Sequence, residues 1–153
     1  MRSTLRRAPR THFSLGLLAA GLGLAAAGCG TADLGEPGVF FVYPTDGASV
    51  TSPIDVVMGS RNIEIGAVPP EVVTARPNIV HYHLGTNTDC LPPGTVIPQA
   101  DPWIHFGDGS NEIEMNFPPG EYRLAIQAGD DEHRTIAGLC QVISITVVEG
   151  GED

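Results

Sequence analysis

His81 and His83 stand two positions apart in the run Ile79-Val80-His81-Tyr82-His83-Leu84. In an extended strand that spacing sends both imidazoles to one face and Val80, Tyr82 and Leu84 to the other. Two imidazoles side by side offer two nitrogen donors to one ion, and Zn(II) and Cu(II) both suit imidazole. His105 lies in Trp103-Ile104-His105-Phe106-Gly107-Asp108-Gly109, and His133 follows Gly129-Asp130-Asp131-Glu132. Both sit where strands run out into turns, the places at which sandwich domains carry binding groups. The four histidines together are a candidate copper or zinc site, with Asp130 and Asp108 as candidates to orient imidazole N–H groups. The competing readings are plainer. His81 and His83 would line a solvated strand face, His133 would be a charged loop side chain beside three acids, and Asp108 would only form a turn.

Other chemistry finds little support. No Gly-x-Ser-x-Gly elbow, His-Glu-x-x-His helix or glycine-rich phosphate loop occurs. Glu112 and Glu114 share a strand face, as a glycosidase pair would, but alternate with Ile113 and Met115 and read as a solvated face. His105 or His133 acting as a general base lacks a nucleophile or paired acid placed with it. No catalytic residue is assigned.

The elements that must position the histidines are strands. Val39–Tyr43, Ile54–Met58, Ile79–Leu84, Trp103–Phe106, Glu112–Phe117, Tyr122–Ala128 and Gln141–Val148 are β-rich or alternate apolar with polar residues. Proline and glycine turns separate them, and residues 85–102 form a long loop with Pro92, Pro93, Pro98 and Pro102. No helical periodicity follows residue 28. About seven short strands with regular turns predict an all-β, immunoglobulin-like β-sandwich. The opening Pro119-Gly120-Glu121-Tyr122 resembles the tyrosine corner of such domains.

The N-terminus supplies an address. Arg2, Arg6, Arg7 and Arg10 precede an apolar stretch, Phe13 to Ala27, which ends in Leu24-Ala25-Ala26-Ala27-Gly28-Cys29. This reads as a bacterial lipoprotein signal over 1–28, with Cys29 the lipidated residue, although Ala26 stands where leucine is usual. Residues 29–38 would be a tether, 39–149 the sandwich and 150–153 an acidic tail. Gly30 after the cysteine fits sorting to the periplasmic face of an outer membrane. Removing residues 1–28 leaves four basic and eighteen acidic residues, a net charge of −14, and the chain has no lysine. That balance argues against nucleic acid and is compatible with a cationic partner. In an oxidising compartment Cys90 and Cys140 are expected to form a disulfide. The sequence does not specify an oligomeric state.

Several segments in order resemble a known family. They are Tyr43-Pro44-Thr45-Asp46-Gly47, His81-Tyr82-His83-Leu84, His105-Phe106-Gly107-Asp108-Gly109-Ser110-Asn111-Glu112, Pro119-Gly120-Glu121-Tyr122-Arg123-Leu124 and Gly129-Asp130-Asp131-Glu132-His133. Over residues 39–148 the chain resembles domain of unknown function 4399, a family of secreted bacterial domains. The family pattern has a triple-histidine strand, a His-Phe-Gly-x-Gly-Gln-Thr-Glu segment, a Pro-Gly-x-x-x-Leu strand opening and a Gly-Asp-x-x-His segment. His81 and His83 match the first and third histidines of the strand, His105 the histidine before Phe-Gly, Glu112 the closing Glu, and His133 the histidine after Gly-Asp. Tyr82 replaces the middle histidine and Ser110-Asn111 replace Gln-Thr. The resemblance implies a shared histidine site and no particular activity.

Three functions fit these residues, and each predicts a different arrangement. A metal-handling lipoprotein predicts that the four histidines meet around one point. A metal-free envelope module, docking on another protein or a cell-wall polymer, predicts that they are scattered. An enzyme predicts a carboxylate bonded behind one histidine in a pocket.

Overall fold

The computed structural model describes residues 35–71 and 74–150. The lipoprotein signal expected over 1–28, Cys29 and the residues after it to 34 lie outside the described residues, as does most of the acidic tail. Nine strands are described: β1 (Gly38–Tyr43), β2 (Ala48–Thr51), β3 (Ile54–Arg61), β4 (Glu64–Ile65), β5 (Ile79–Thr86), β6 (Trp103–His105), β7 (Glu112–Met115), β8 (Gly120–Gly129) and β9 (Thr135–Val148). Among the described residues there is no helix.

The fold is an all-β sandwich. One sheet runs β1-β3-β7 and the other β2-β9-β8-β5-β4, with β6 also pairing β5. Period-2 alternation places Val39 and Phe41 of β1 and Ile54, Val56 and Met58 of β3 against Val80, Tyr82, Leu84, Leu124, Ile126 and Ile143 of the larger sheet. Tyr82, only 1% exposed, joins this core. The tyrosine corner is present: the Tyr122 hydroxyl donates to the Pro118 carbonyl at 2.9 Å, and its ring lies 4.5 Å from that of Phe117.

Seven strands were expected and nine are found. The two extra ones carry weak signals. Ala48-Ser49-Val50-Thr51 is half polar and is held as a strand by parallel pairing with Ile145–Val148 of β9. Glu64-Ile65 is only two residues long and pairs with Ile79-Val80. β9 also begins at Thr135, ahead of the expected Gln141, because it runs back to the β8 hairpin through a register shift opposite Gln127/Gly129.

The larger sheet is buried on both faces, which decides the fate of the histidines. The loop over residues 87–102 folds back across the outer face of β8 and β9, where Ile97, Trp103 and Ala125 form a second small core with Leu91 and Val142. The buried Gln127 side chain clamps this loop: its Oε1 accepts from the Leu91 amide at 2.7 Å and its Nε2 donates to the Leu91 carbonyl at 3.1 Å. The Thr135 hydroxyl donates to the Pro92 carbonyl at 2.6 Å. The Cys90–Cys140 disulfide fixes the loop to β9.

Candidate metal centre

β5 sets the first two donors. His81 pairs with Gly129 and His83 with Gln127 of β8, so both rings rise from the outer face of the larger sheet, opposite Tyr82. A solvated strand face was one expectation for them. It is overturned: His81 is 1% and His83 0% exposed, because the covering loop and the β8–β9 hairpin close over that face.

β6 delivers the third donor. His105 sits directly across from His83 in the antiparallel β5–β6 pair. Phe106 anchors the end of β6 by burial in the main core and by donating its amide to the Tyr82 carbonyl at 3.0 Å. Behind it, Gly107 lies against the imidazole. A Cβ at this position would stand 2.9 Å from His105 Nε2 and closer still to Cε1. The ring is the far end of a rotatable side chain, so Gly107→Ala is expected to push the ring aside and leave the fold nearly as stable, within about 1 kcal/mol. If the cluster holds copper or zinc, its affinity should then fall by about ten- to a hundredfold. Titration calorimetry beside a denaturation curve checks this, and equal affinity in the variant would contradict it.

The hairpin after β8 brings the fourth donor. The Asp130 carboxylate accepts from the amides of Glu132 and Arg134, both at 2.9 Å, and the Asp130 carbonyl accepts from the His133 amide at 2.8 Å. These bonds hold His133 in the left-handed region at φ 64°, uncommon for a residue with a side chain. The covering loop braces it from outside, since the Ile97 amide donates to the His133 carbonyl at 2.8 Å. Gly129 supplies clearance: a Cβ there would stand 3.2 Å from the His83 ring and 3.3 Å from the His133 backbone.

The four rings converge. Their centroids lie 4.7 to 5.6 Å apart in all six pairs, and one nitrogen from each can be chosen so that all lie within 4.8 Å of one another. His133 Nε2 is 3.1 Å from His105 Nε2. His81 Nε2 and both nitrogens of His83 are buried with no hydrogen-bond partner. A buried polar atom left unpaired costs about 1–3 kcal/mol. One nitrogen of neutral His83 carries the ring hydrogen, so one lone pair from each of His81 and His83 fits a group that accepts lone pairs. Burial, reinforced by the neighbouring imidazoles, pushes His81 down to about 4 and His83 to about 2. Burial also lowers His105. The two buried rings are therefore neutral at pH 7, the form that binds a metal.

The acids divide differently from the sequence reading. Asp130 spends its carboxylate on the turn, as described. Asp108 accepts from the Ser110 amide at 3.0 Å and its hydroxyl at 2.7 Å, the turn-forming role. The acid that electrostatically faces His81 is Asp131, which is buried and receives Arg76 through Nε at 2.8 Å, the terminal NH2 at 2.7 Å and the backbone amide at 2.9 Å. Those bonds hold its carboxyl at about 2. Gln99, a glutamine in a proline-rich loop that no spacing rule marks, places its Nε2 2.9 Å from His133 Nε2. Glu112 and Glu114 are exposed on β7, away from the histidines and paired across to β3.

The family model described as Domain of unknown function (DUF4399) matches residues 56–148. The chain belongs to this family. The DUF4399 match contains all four histidines, both glycines that lie against them, and the Cys90–Cys140 pair. It begins later than the resemblance over 39–148, leaving β1 and β2 outside. No curated protein and no solved structure matches the chain.

Proposed function

We propose that this protein is a lipid-anchored, extracytoplasmic lipoprotein that binds one copper or zinc ion through His81, His83, His105 and His133, and that its role is metal capture or handling. The observation that carries this reading is the convergence of four imidazoles on one point, with buried, unpartnered nitrogens on both rings of β5. Zinc and copper take nitrogen donors at about 2.0–2.1 Å, and rings with centroids about 5 Å apart need only small rotations to share such an ion. The net charge of −14 after the signal favours a cation. The signal-like N-terminus and the disulfide support an oxidising compartment outside the cytoplasm. The anchor on Cys29 and placement on the periplasmic face of an outer membrane follow from the sequence of that segment alone.

Calorimetry on the purified full chain tests the site, with Cu(II) and Zn(II) titrated at pH 7.5 against a His81→Ala/His83→Ala double variant. About one ion per chain is expected in the wild type. Affinity in the double variant should drop by more than about a hundredfold, since loss of an outer-shell partner alone costs about ten- to a hundredfold. Weak binding equal in both proteins sinks the reading and turns attention to a metal-free envelope partner.

A further inference from the structure

We infer that Gln99 is a fifth donor, through its amide oxygen, and that it makes this a tetragonal site suited to Cu(II) over Zn(II). This rests on reading the four histidines as a metal site.

Three polar atoms crowd one position. His133 Nε2 has the Gln99 amide nitrogen at 2.9 Å and His105 Nε2 at 3.1 Å. An imidazole nitrogen carries either one hydrogen or one lone pair in the ring plane, so His133 Nε2 can serve only one of these neighbours at a time. A cation placed there accepts a lone pair from each of the two imidazole nitrogens and, once the amide is turned, from the Gln99 oxygen. The spacing also distinguishes geometries. Donors about 2.1 Å from an ion stand about 3.0 Å apart when they subtend a right angle and about 3.4 Å apart in a tetrahedron. The two observed separations, both of hydrogen-bond length, already stand near the right-angled value, so these donors can take neighbouring corners of such a site.

The amide can present the needed atom. Its oxygen and nitrogen ends are nearly isosteric, and a half-turn about χ3 exchanges them. With the oxygen inward the donor set is four imidazole nitrogens and one neutral oxygen, the nitrogen–oxygen tetragonal type that Cu(II) prefers, whereas Zn(II) is satisfied by four tetrahedral donors. The location is apt for a fifth donor. His81 and His83 close the inner side, while Gln99 is exposed and stands at the outer side beside half-buried His105 and His133. Its backbone is placed by Ile97, which is 1% exposed and bonded to the His133 carbonyl.

The test uses the full chain loaded with one equivalent of Cu(II) sulfate, comparing wild type with Gln99→Ala. Because Gln99 is exposed, the variant should keep the fold, which circular dichroism checks. Electron paramagnetic resonance in H2O and D2O is expected to show no copper-bound water in the wild type and a deuterium-modulated water ligand in the variant. Competition between the two ions should show the preference for Cu(II) over Zn(II) falling about tenfold. Identical spectra and preference in the two proteins overturn the assignment, as do equal losses for both ions, which would make Gln99 a positioning residue acting through His133. If the wild type takes up neither ion, it is the four-histidine reading that falls. If it takes up both and Gln99→Ala is indistinguishable, only the fifth donor falls.

Discussion

Kept free of metal by a chelator, the protein is expected to lose several kcal/mol of stability between pH 7.5 and pH 5. The cause is the buried pair on β5. In the unfolded chain His81 and His83 take up protons near the ordinary value of about 6.5. In the folded protein burial and the neighbouring imidazoles delay this to about 4 for His81 and about 2 for His83. Between about pH 6.5 and 4 the unfolded state therefore binds more protons than the native state, and stability falls as pH falls. At pH 5 the solution lies about 1.5 pH units below the unfolded value, which is worth about 2 kcal/mol for each ring that stays neutral in the folded protein. That is a large share of the roughly 5–15 kcal/mol typical of a domain. Asp131 extends the loss to lower pH. Its carboxyl is held at about 2 by Arg76, so its contribution is present above about 3.8 and disappears below. Urea denaturation at pH 7.5, 6 and 5 in chelator measures the slope. A flat profile over that range would contradict neutral burial of the pair, and the His81→Ala/His83→Ala variant should flatten it.

Removal of the disulfide is expected to cost about as much by a different route. Joining Cys90 to Cys140 closes a loop of 50 residues, for which the chain-entropy account gives about 4 kcal/mol. For a domain of this size that corresponds to a fall of about 10–20 °C in melting temperature. The bond sits at the root of the covering loop, next to Leu91 and its clamp from Gln127. Loss of the bond should therefore also loosen the cover over the histidines. Melting of a Cys90→Ser/Cys140→Ser variant against wild type checks the first effect, and amide exchange of Leu91 and Ile97 checks the second. Unchanged melting and unchanged exchange would together show that Gln127, Thr135 and the second core suffice to hold the loop.

Much of this was legible in the chain because strands with one buried face must alternate. Ile113 and Met115 against Glu112 and Glu114, and Leu124 and Ile126 within β8, gave the period directly. The same logic put His81 and His83 on one side of β5. What alternation could not supply was the environment of that side. Its burial depends on residues 87–102, whose prolines correctly read as a loop but whose packing through Ile97 and Trp103 is set by contacts distant in sequence. Ala125 and Gln127 are buried for the same reason, although alternation with Leu124 and Ile126 turns them to the outer face. The choice between Asp130 and Asp131 was likewise invisible. The two are adjacent in a turn, and only the arrival of Arg76 from another segment separates the turn-forming acid from the buried one. Gly107 and Gly129 could be read as turn residues, but their need for empty space arises only once the rings stand beside them.

The positions of the cysteines and histidines along the chain have a bearing on how the protein is assembled. Cys90 and Cys140 are fifty positions apart, and so are His83 and His133, each seven positions earlier than its cysteine. An ion shared by His83 and His133 would thus tie together the same two stretches that the disulfide already joins. In an oxidised chain the second tie closes a ring of two seven-residue arms instead of one of fifty residues, an entropic saving of about 1 kcal/mol. Oxidation would in this way prime the chain to take up such an ion during folding. By reciprocity, an ion in place would protect the sulfur–sulfur bond from reduction by the same factor of about six. Redox maturation and metal loading would then be two ends of a single equilibrium.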